Sequence, residues 1–328
     1  MRPGRRGLLA AAATALSAAL LLTGCASSHL TGSNPPTTSA SVPTPPGASF
    51  GAPAPEDVPS ATCDPFTSLR AMSPLPEPGH MPAGSAMERI ASRGRMVVGT
   101  DTGSNPMSFR DPISGDIRGF DIDIANWISE AIFGEVRIEY RILGTGDRVR
   151  ALQDGDVDIV VKSMSITCER TELMDFSAPY YVASQRILVY RNSGIESVAG
   201  LAHKSVCATR NSTPIARIQR KVPGARLVTT NTWADCLVLM QQGQVDGIVS
   251  DEPLLSGIAQ QDPWVRIVGD PIGTEYYGVG IPKGENDMVR FVNGVLEQRR
   301  ADGSWQRAYT TWLSQLGPGI PPPTNYRD

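Results

Sequence analysis

The sequence predicts an α/β protein of two lobes, joined by two crossing segments, with a ligand held between them. Three observations predict it. Strand-prone and helix-prone runs alternate through residues 87–188. The same alternation restarts over 189–275, after which an apolar run at 276–281 returns the chain to its first half. Two amphipathic stretches, 288–299 and 305–313, then finish that half. Each alternating set needs its own layered core, and a cleft between two cores is where small ligands commonly bind.

Taken in order, the chain opens with Arg2, Arg5 and Arg6 ahead of an Ala/Leu run at 8–22. At about 15 residues this run is shorter than the roughly 20 needed to span a bilayer, and it fits an export signal. Leu22-Thr23-Gly24-Cys25 resembles a bacterial lipobox, which implies cleavage after residue 24, a diacylglyceryl group on Cys25, and a protein exported and lipid-anchored to the outer face of the cell membrane. Arg5-Arg6 makes only a weak twin-arginine pattern. Residues 25–86 are rich in Pro, Ser, Thr, Gly and Ala. Such a chain buries too little apolar surface to offset its ordering entropy, so a disordered tether is expected there, with the folded body beginning near Met87.

The full chain carries 30 Lys and Arg against 33 Asp and Glu, and losing the three arginines of residues 1–24 moves the net charge from −3 to −6. An acidic body argues against nucleic acid, and no basic tract suggests adhesion to a membrane surface. With Cys25 lipidated, four of the five cysteines remain, an even set with three possible pairings. Cys207 falls on a strand and Cys236 on a nearby helix of the second lobe, which pairs them and leaves Cys63 with Cys168. There is no CxxC, and His29, His80 and His203 cluster with none of the cysteines, so no metal and no cofactor are expected.

In the body, a helix from 87 leads to a strand at 95–100 that ends on Asp101, followed by a loop at 104–106 and a hairpin-like turn at 111–119. Phe120, Ile124, Trp127, Ile128 and Ala131 recur at helical spacing as a core face, with Asp121 as the N-cap. A strand at 136–142 and a helix at 146–153 follow. Then come a short, largely apolar strand at 157–161, a polar loop at 162–168 and a helix opening at 169–170. The second lobe is entered by a strand at 185–190. It continues with a helix at 195–201, strands at 205–208, 226–229 and 247–249, and helices at 214–220 and 233–242. Residues 321–328 read as a tail.

The loop at 162–170 is where chemistry concentrates. Ser163, Ser165 and Thr167 lie between Lys162 and Arg170 at the carboxyl end of a buried strand, the place where open α/β sheets hold ligands. A guanidinium matches a carboxylate, and hydroxyls can accept from an ammonium, so this set can surround an amino acid. Taken alone, the same residues also fit a solvated loop with Arg170 paired to Glu169 or Glu172. Residues 209–213, opening a helix, suit an anion through free backbone N–H groups.

MSITCER, after the 157–161 strand, resembles the TITDER-type loop of the polar amino-acid-binding proteins of bacterial ABC transporters, the family 3 periplasmic binding proteins of glutamine, glutamate and aspartate. VVGTDTGSNPMSF, GFDIDIANWI, MDFSAPYY and GSWQRAYTTWL extend the likeness over about 87–316. The resemblance implies the type II periplasmic-binding-protein fold. Its lobes would be 87–188 with 276–328 and 189–275, hinged on two strands. It also implies a monomeric, non-enzymatic receptor that delivers its amino acid to an ABC permease. A sensor reporting to a membrane receptor, or an exported enzyme on the same fold, are the alternatives.

Site roles follow from the same resemblance. Arg170 takes the α-carboxylate with help from Thr213. Ser163, through its carbonyl, Ser165 and Asp251 take the ammonium, and Asp101 supplies a further acid. Ser104 and Thr145 stand where aromatic clamps are usual, and Asn211-Ser212-Thr213 replaces the usual Gly-Thr-Gly or Gly-Thr-Thr. Counting Lys162, Arg170 and Arg210 against Asp101 and Asp251 leaves the site at +1. An acidic amino acid would balance it, with Lys162 or Arg210 on the distal carboxylate.

Overall fold

The computed structural model describes residues 42–51 and 63–328. The export signal, Cys25 and the remaining tether residues lie outside them.

Two sheets carry the architecture. The first has five strands in the order Ile138–Ile142, Met96–Thr100, Ile159–Val160, Gly280–Ile281, Asp175–Phe176. Its first three strands are parallel, and the returning Gly280–Ile281 runs antiparallel to both neighbours. The second has six, in the order Ser49–Phe50, Arg226–Thr230, Ser205–Thr209, Gly247–Asp251, Tyr181–Tyr190, Val265–Tyr277. Tyr181–Tyr190 and Val265–Tyr277 are the two crossing strands. They pair antiparallel from Tyr181 opposite Tyr277 to Tyr190 opposite Val265, with an irregularity between Gln185 and Ile187.

Met96–Thr100 is buried at every position, as a parallel strand covered on both faces should be. Against that sheet lies the helix Phe120–Phe133, with Phe120, Ile124, Trp127 and Ile128 buried as their spacing requires. Its start differs from expectation. The helix begins at Phe120, after Gly119 at φ 131°, where a Cβ would lie 2.3 Å from the Met107 carbonyl oxygen. Only glycine fits there, and Asp121 is drawn inside the helix instead of capping it. Below the crossing strands the Trp305 ring stands perpendicular to Phe120 at 5.9 Å and stacks on Tyr309 at 5.3 Å. Its Nε1 donates to the Tyr180 carbonyl at 2.8 Å, so this ring is both packed and hydrogen-bonded.

Three further expectations are corrected. The helix at 195–201 is only the 3₁₀ turn Val198–Leu201, because Gly194 and Gly200 bracket too few residues to propagate a helix. The tail is not loose: Asn325–Arg327 pairs in parallel with Thr67–Leu69. The tether is not structureless over its described parts. Ser49–Phe50 adds an antiparallel edge to Arg226–Thr230, and Ala86–Arg93 already belongs to the first lobe's body. Composition misleads here because an edge strand recruits a partner through its unpaired backbone groups, whatever the partner's side chains. Both expected disulfides are present, Cys63–Cys168 with Cα atoms 5.5 Å apart and Cys207–Cys236 with 5.7 Å.

Candidate functional site

Strand ends and helix starts from both lobes converge on one narrow cleft, partly open to solvent. The first lobe contributes Ser104, Thr145, Arg148, Lys162, Ser163, Ser165 and Arg170. The second contributes Ser212, Thr213, Trp233, Asp251 and two apolar neighbours.

Arg170 sits in the short helix Cys168–Leu173, whose N-cap Thr167 accepts from the Arg170 N–H. Its guanidinium donates to the Ser165 carbonyl at 2.7 Å and, across the cleft, to the Asn211 carbonyl at 2.8 Å. Further cross-cleft bonds run from the Thr145 N–H to Asn231 and from Asn211 to Gly146, both 3.3 Å, so the lobes are closed on one another. Ser163 adopts φ 43°, a left-handed conformation that non-glycine residues rarely take. Asp121 holds it by accepting from both its N–H at 2.8 Å and its hydroxyl at 2.9 Å. Burial pushes Asp121 up to about 6, against the bonds from Tyr180 and Ser163.

Facing these groups, Asp251 ends the strand Gly247–Asp251. Its Oδ2 accepts from the Tyr277 hydroxyl at 2.5 Å, while Oδ1 is buried with no hydrogen-bond partner among the described residues. Burial, then the nearby Glu275, pushes Asp251 up to about 7. An unpartnered buried carboxylate oxygen on a cleft wall is a seat for a cation. Thr213 starts the helix Thr213–Lys221, its hydroxyl accepting from Gln185 at 2.8 Å.

Two sequence expectations are changed by the geometry. Lys162 is buried in an ion pair with Asp101, which also accepts from Ser104 at 2.8 Å and Ser108 at 2.9 Å. Burial works to raise Asp101, but the Lys162 ammonium and these hydroxyls hold it below its usual range, while burial lowers Lys162. The pair is therefore self-satisfied: Asp101 lies behind the wall, and Lys162 is not a free charge for a ligand. Arg210 is exposed, donates to the Gly47 carbonyl, and does not line the cleft.

The cation that replaces them is Arg148, which sequence reasoning missed. It is buried, with Nε on the Thr145 carbonyl at 2.9 Å and Nη1 on the Lys162 carbonyl at 3.1 Å, and Nη2 makes no hydrogen bond among the described residues. Burial, then the Arg170 charge, lowers it to about 9, so it remains charged at neutral pH. Trp233 was also missed. It begins the helix Trp233–Gln241 after a Thr232–Asp235 capping box and gives the cleft an aromatic wall where the first lobe offers only Ser104 and Thr145. Thr232-x-x-Asp235 was the readable sign that a helix, and so a helix-start side chain, lay there.

Comparison with known proteins agrees with this architecture. Residues 96–315 match the family model of bacterial extracellular solute-binding proteins, family 3. The chain is 32% identical over 228 residues to the ABC transporter glutamine-binding protein GlnH of Bacillus subtilis, covering 69% of this chain and 84% of that one. It is 29% identical over 250 residues to the glutamate-binding protein GluB of Corynebacterium efficiens, covering 72% and 85%. Among solved structures, an ancestral arginine-binding protein bound to glutamine superposes with a TM-score of 0.64 at 32% identity, covering 67% of this chain and 98% of that one. Holo ArgBP from T. maritima gives 0.62 at 26%, covering 68% and 99%. The fold is the two-lobe periplasmic-binding-protein fold, and the chain belongs to the family 3 bacterial extracellular solute-binding proteins.

Proposed function

We propose that this protein captures an acidic amino acid, glutamate or aspartate, and delivers it to an ABC permease while anchored to the membrane through lipid on Cys25. The observation that carries the ligand class is the charge left on the cleft wall once the Lys162–Asp101 pair is set aside: two guanidiniums, Arg148 and Arg170, against one carboxylate, Asp251. A ligand with one ammonium and two carboxylates balances that set, whereas glutamine leaves a buried positive charge uncompensated. In this reading Arg170 and Thr213 take the α-carboxylate, Ser163, Ser165 and Asp251 take the ammonium, Arg148 takes the distal carboxylate, and Trp233 covers the aliphatic stem. Relatives named for transport support the permease as partner, and the LTGC sequence at 22–25 supports the anchor.

Calorimetric titration tests the ligand class. Glutamate or aspartate is expected to bind at micromolar strength, roughly −8 kcal/mol, and glutamine at least about tenfold more weakly. Arg148→Gln removes a charge-assisted bond worth about 1.5–3 kcal/mol and is expected to weaken glutamate about 10- to 100-fold while affecting glutamine far less. Glutamine outcompeting glutamate on the wild-type protein would reject the acidic ligand.

A pH dependence follows from Asp251. An ammonium pairs with the ionised carboxylate, so a ligand in the closed cleft pulls down a pKa that stands at about 7 when that cleft is empty, and releases a proton. Affinity is therefore expected to be full above neutrality and to fall by up to about tenfold per pH unit below about 7. Unliganded stability moves in the opposite sense. A carboxyl raised from 3.8 contributes fully at acid pH, and that contribution is lost as pH rises through about 7. Titrations in buffers of different ionisation enthalpy would detect the released proton. A Kd that is flat between about pH 6 and 8 would remove Asp251 from the ammonium's surroundings.

A further inference from the structure

The helix Cys168–Leu173 places the central guanidinium of the cleft, yet none of its residues is buried. A helix this short is marginal by itself, and helices in proteins are ordinarily held by an apolar face packed on a neighbour. This one has no such face. Its far end is tied by the Lys283 ammonium, which donates to the Thr171 carbonyl at 2.6 Å. Its first residue, Cys168, is tied covalently to Cys63, 105 positions earlier in the chain.

The segment that carries Cys63 is well anchored. Phe66 packs edge-on against Tyr276 of a crossing strand with centroids 4.3 Å apart. Asp64 accepts from the Phe66 N–H and the Thr67 hydroxyl, both at 2.9 Å. Thr67–Leu69 is paired with Asn325–Arg327, and the buried Ser68 donates to the Phe176 carbonyl at 3.2 Å and accepts from Asn293 at 2.9 Å. The disulfide therefore fastens a helix that lacks a packed face to a rigid support, two residues from Arg170. Cys63 and its own segment, residues 63–69, precede residue 96, outside the stretch that matches the family.

We infer that the Cys63–Cys168 disulfide is a positioning element of the ligand site, holding the Arg170 guanidinium where it meets the carboxylate of the bound amino acid. The inference rests on the reading of Arg170 given above. Without the bond, the first turn of the helix is free to move, and each binding event must order it again, at a cost in affinity.

The test compares the full-length exported protein with its Cys63→Ser/Cys168→Ser variant by calorimetry with L-glutamate at 25 °C, alongside L-aspartate and L-glutamine. The expected result is a Kd about tenfold weaker for every amino acid that the wild type binds, since the α-carboxylate is common to all. In an Arg170→Ala background the same cysteine changes are expected to have no further effect, because the group they position is gone. Cys207→Ser/Cys236→Ser, at two fully buried positions of the second lobe, serves as the control. It should lower the melting temperature and leave Kd unchanged. A Cys63→Ser/Cys168→Ser variant that melts earlier but binds with wild-type affinity would overturn the inference and leave the reading of the site standing. An equal loss with and without Arg170 would overturn it too. A wild-type protein that binds none of the amino acids would bring down the site reading and this inference together.

Discussion

Arg170→Ala is expected to weaken amino-acid capture by about two to four orders of magnitude and leave a folded protein. The guanidinium lines the cleft and donates at once to the Ser165 carbonyl in the first lobe and the Asn211 carbonyl in the second, so in the proposed reading it would both meet the carboxylate and close the cleft over it. A bidentate bond to a carboxylate is two charge-assisted hydrogen bonds at about 1.5–3 kcal/mol each. Losing both corresponds to about a 10²- to 10⁴-fold weaker Kd. No residue of its helix is buried, so the substitution opens no cavity, and the unliganded melting temperature is expected to stay within a few degrees of wild type. Thermal-shift titration reads both quantities together. A variant with an undiminished ligand shift would mean that the carboxylate is held elsewhere.

Gly257→Ala is the second substitution with a large expected effect, and it acts without touching ligand. Gly257 lies in the helix Glu252–Gln261 of the second lobe, where an added Cβ would stand 1.6 Å from the backbone carbonyl oxygen of Asn105 in the first lobe. Backbone cannot yield by the distance this demands. Around that contact the lobes are joined by Asn105 to Gln260 at 3.2 Å and Gln260 to Gln315 at 2.6 Å. With the lobes apart the clash vanishes, and alanine is the better helix former by about 1 kcal/mol. The substitution therefore penalises only the closed form. Since ligand draws the protein toward that form by its differential affinity, binding should fall by roughly two orders of magnitude as the contacts of Asp251 and Thr213 are forfeited. Unliganded stability should hold or rise. Small-angle scattering should lose the contraction that ligand produces in the wild type. Wild-type affinity in this variant would show that the bound state does not bring Gly257 against Asn105.

The frame of the molecule was readable because it rests on short-range patterning. A largely apolar run such as 157–161, with Asp158 its one charge, and the helical spacing of Phe120, Ile124 and Ile128 each state which faces are covered. Much of the cleft wall was readable too, because Ser163, Ser165 and Arg170 share one loop and Thr213 and Asp251 sit at element ends. What sequence could not supply was direction. Arg148 and Arg150 are neighbours on one helical turn, yet the first is buried in the cleft wall and the second is exposed beside Asp147. Lys162 and Asp101, 61 positions apart, cancel one another, a fact that a charge count by residue cannot see. Arg210 seemed a cleft cation from its place in the 209–213 loop, but a carbonyl from residues 42–51 turns it outward. That segment was itself unreadable, since backbone pairing leaves no trace in side-chain pattern.

The pairing of Ser49–Phe50 with the second lobe bears on how the molecule is loaded mechanically. The chain arriving from the N-terminal side meets one jaw at residues 43–51, through Arg210, Asn231 and Gln244, and is riveted to the other jaw at Cys63. The chain is thus attached to both jaws before residue 64, a third covalent connection between them besides the two crossing strands. Tension from upstream would load this edge strand of two residue pairs first, ahead of the rivet and the hinge.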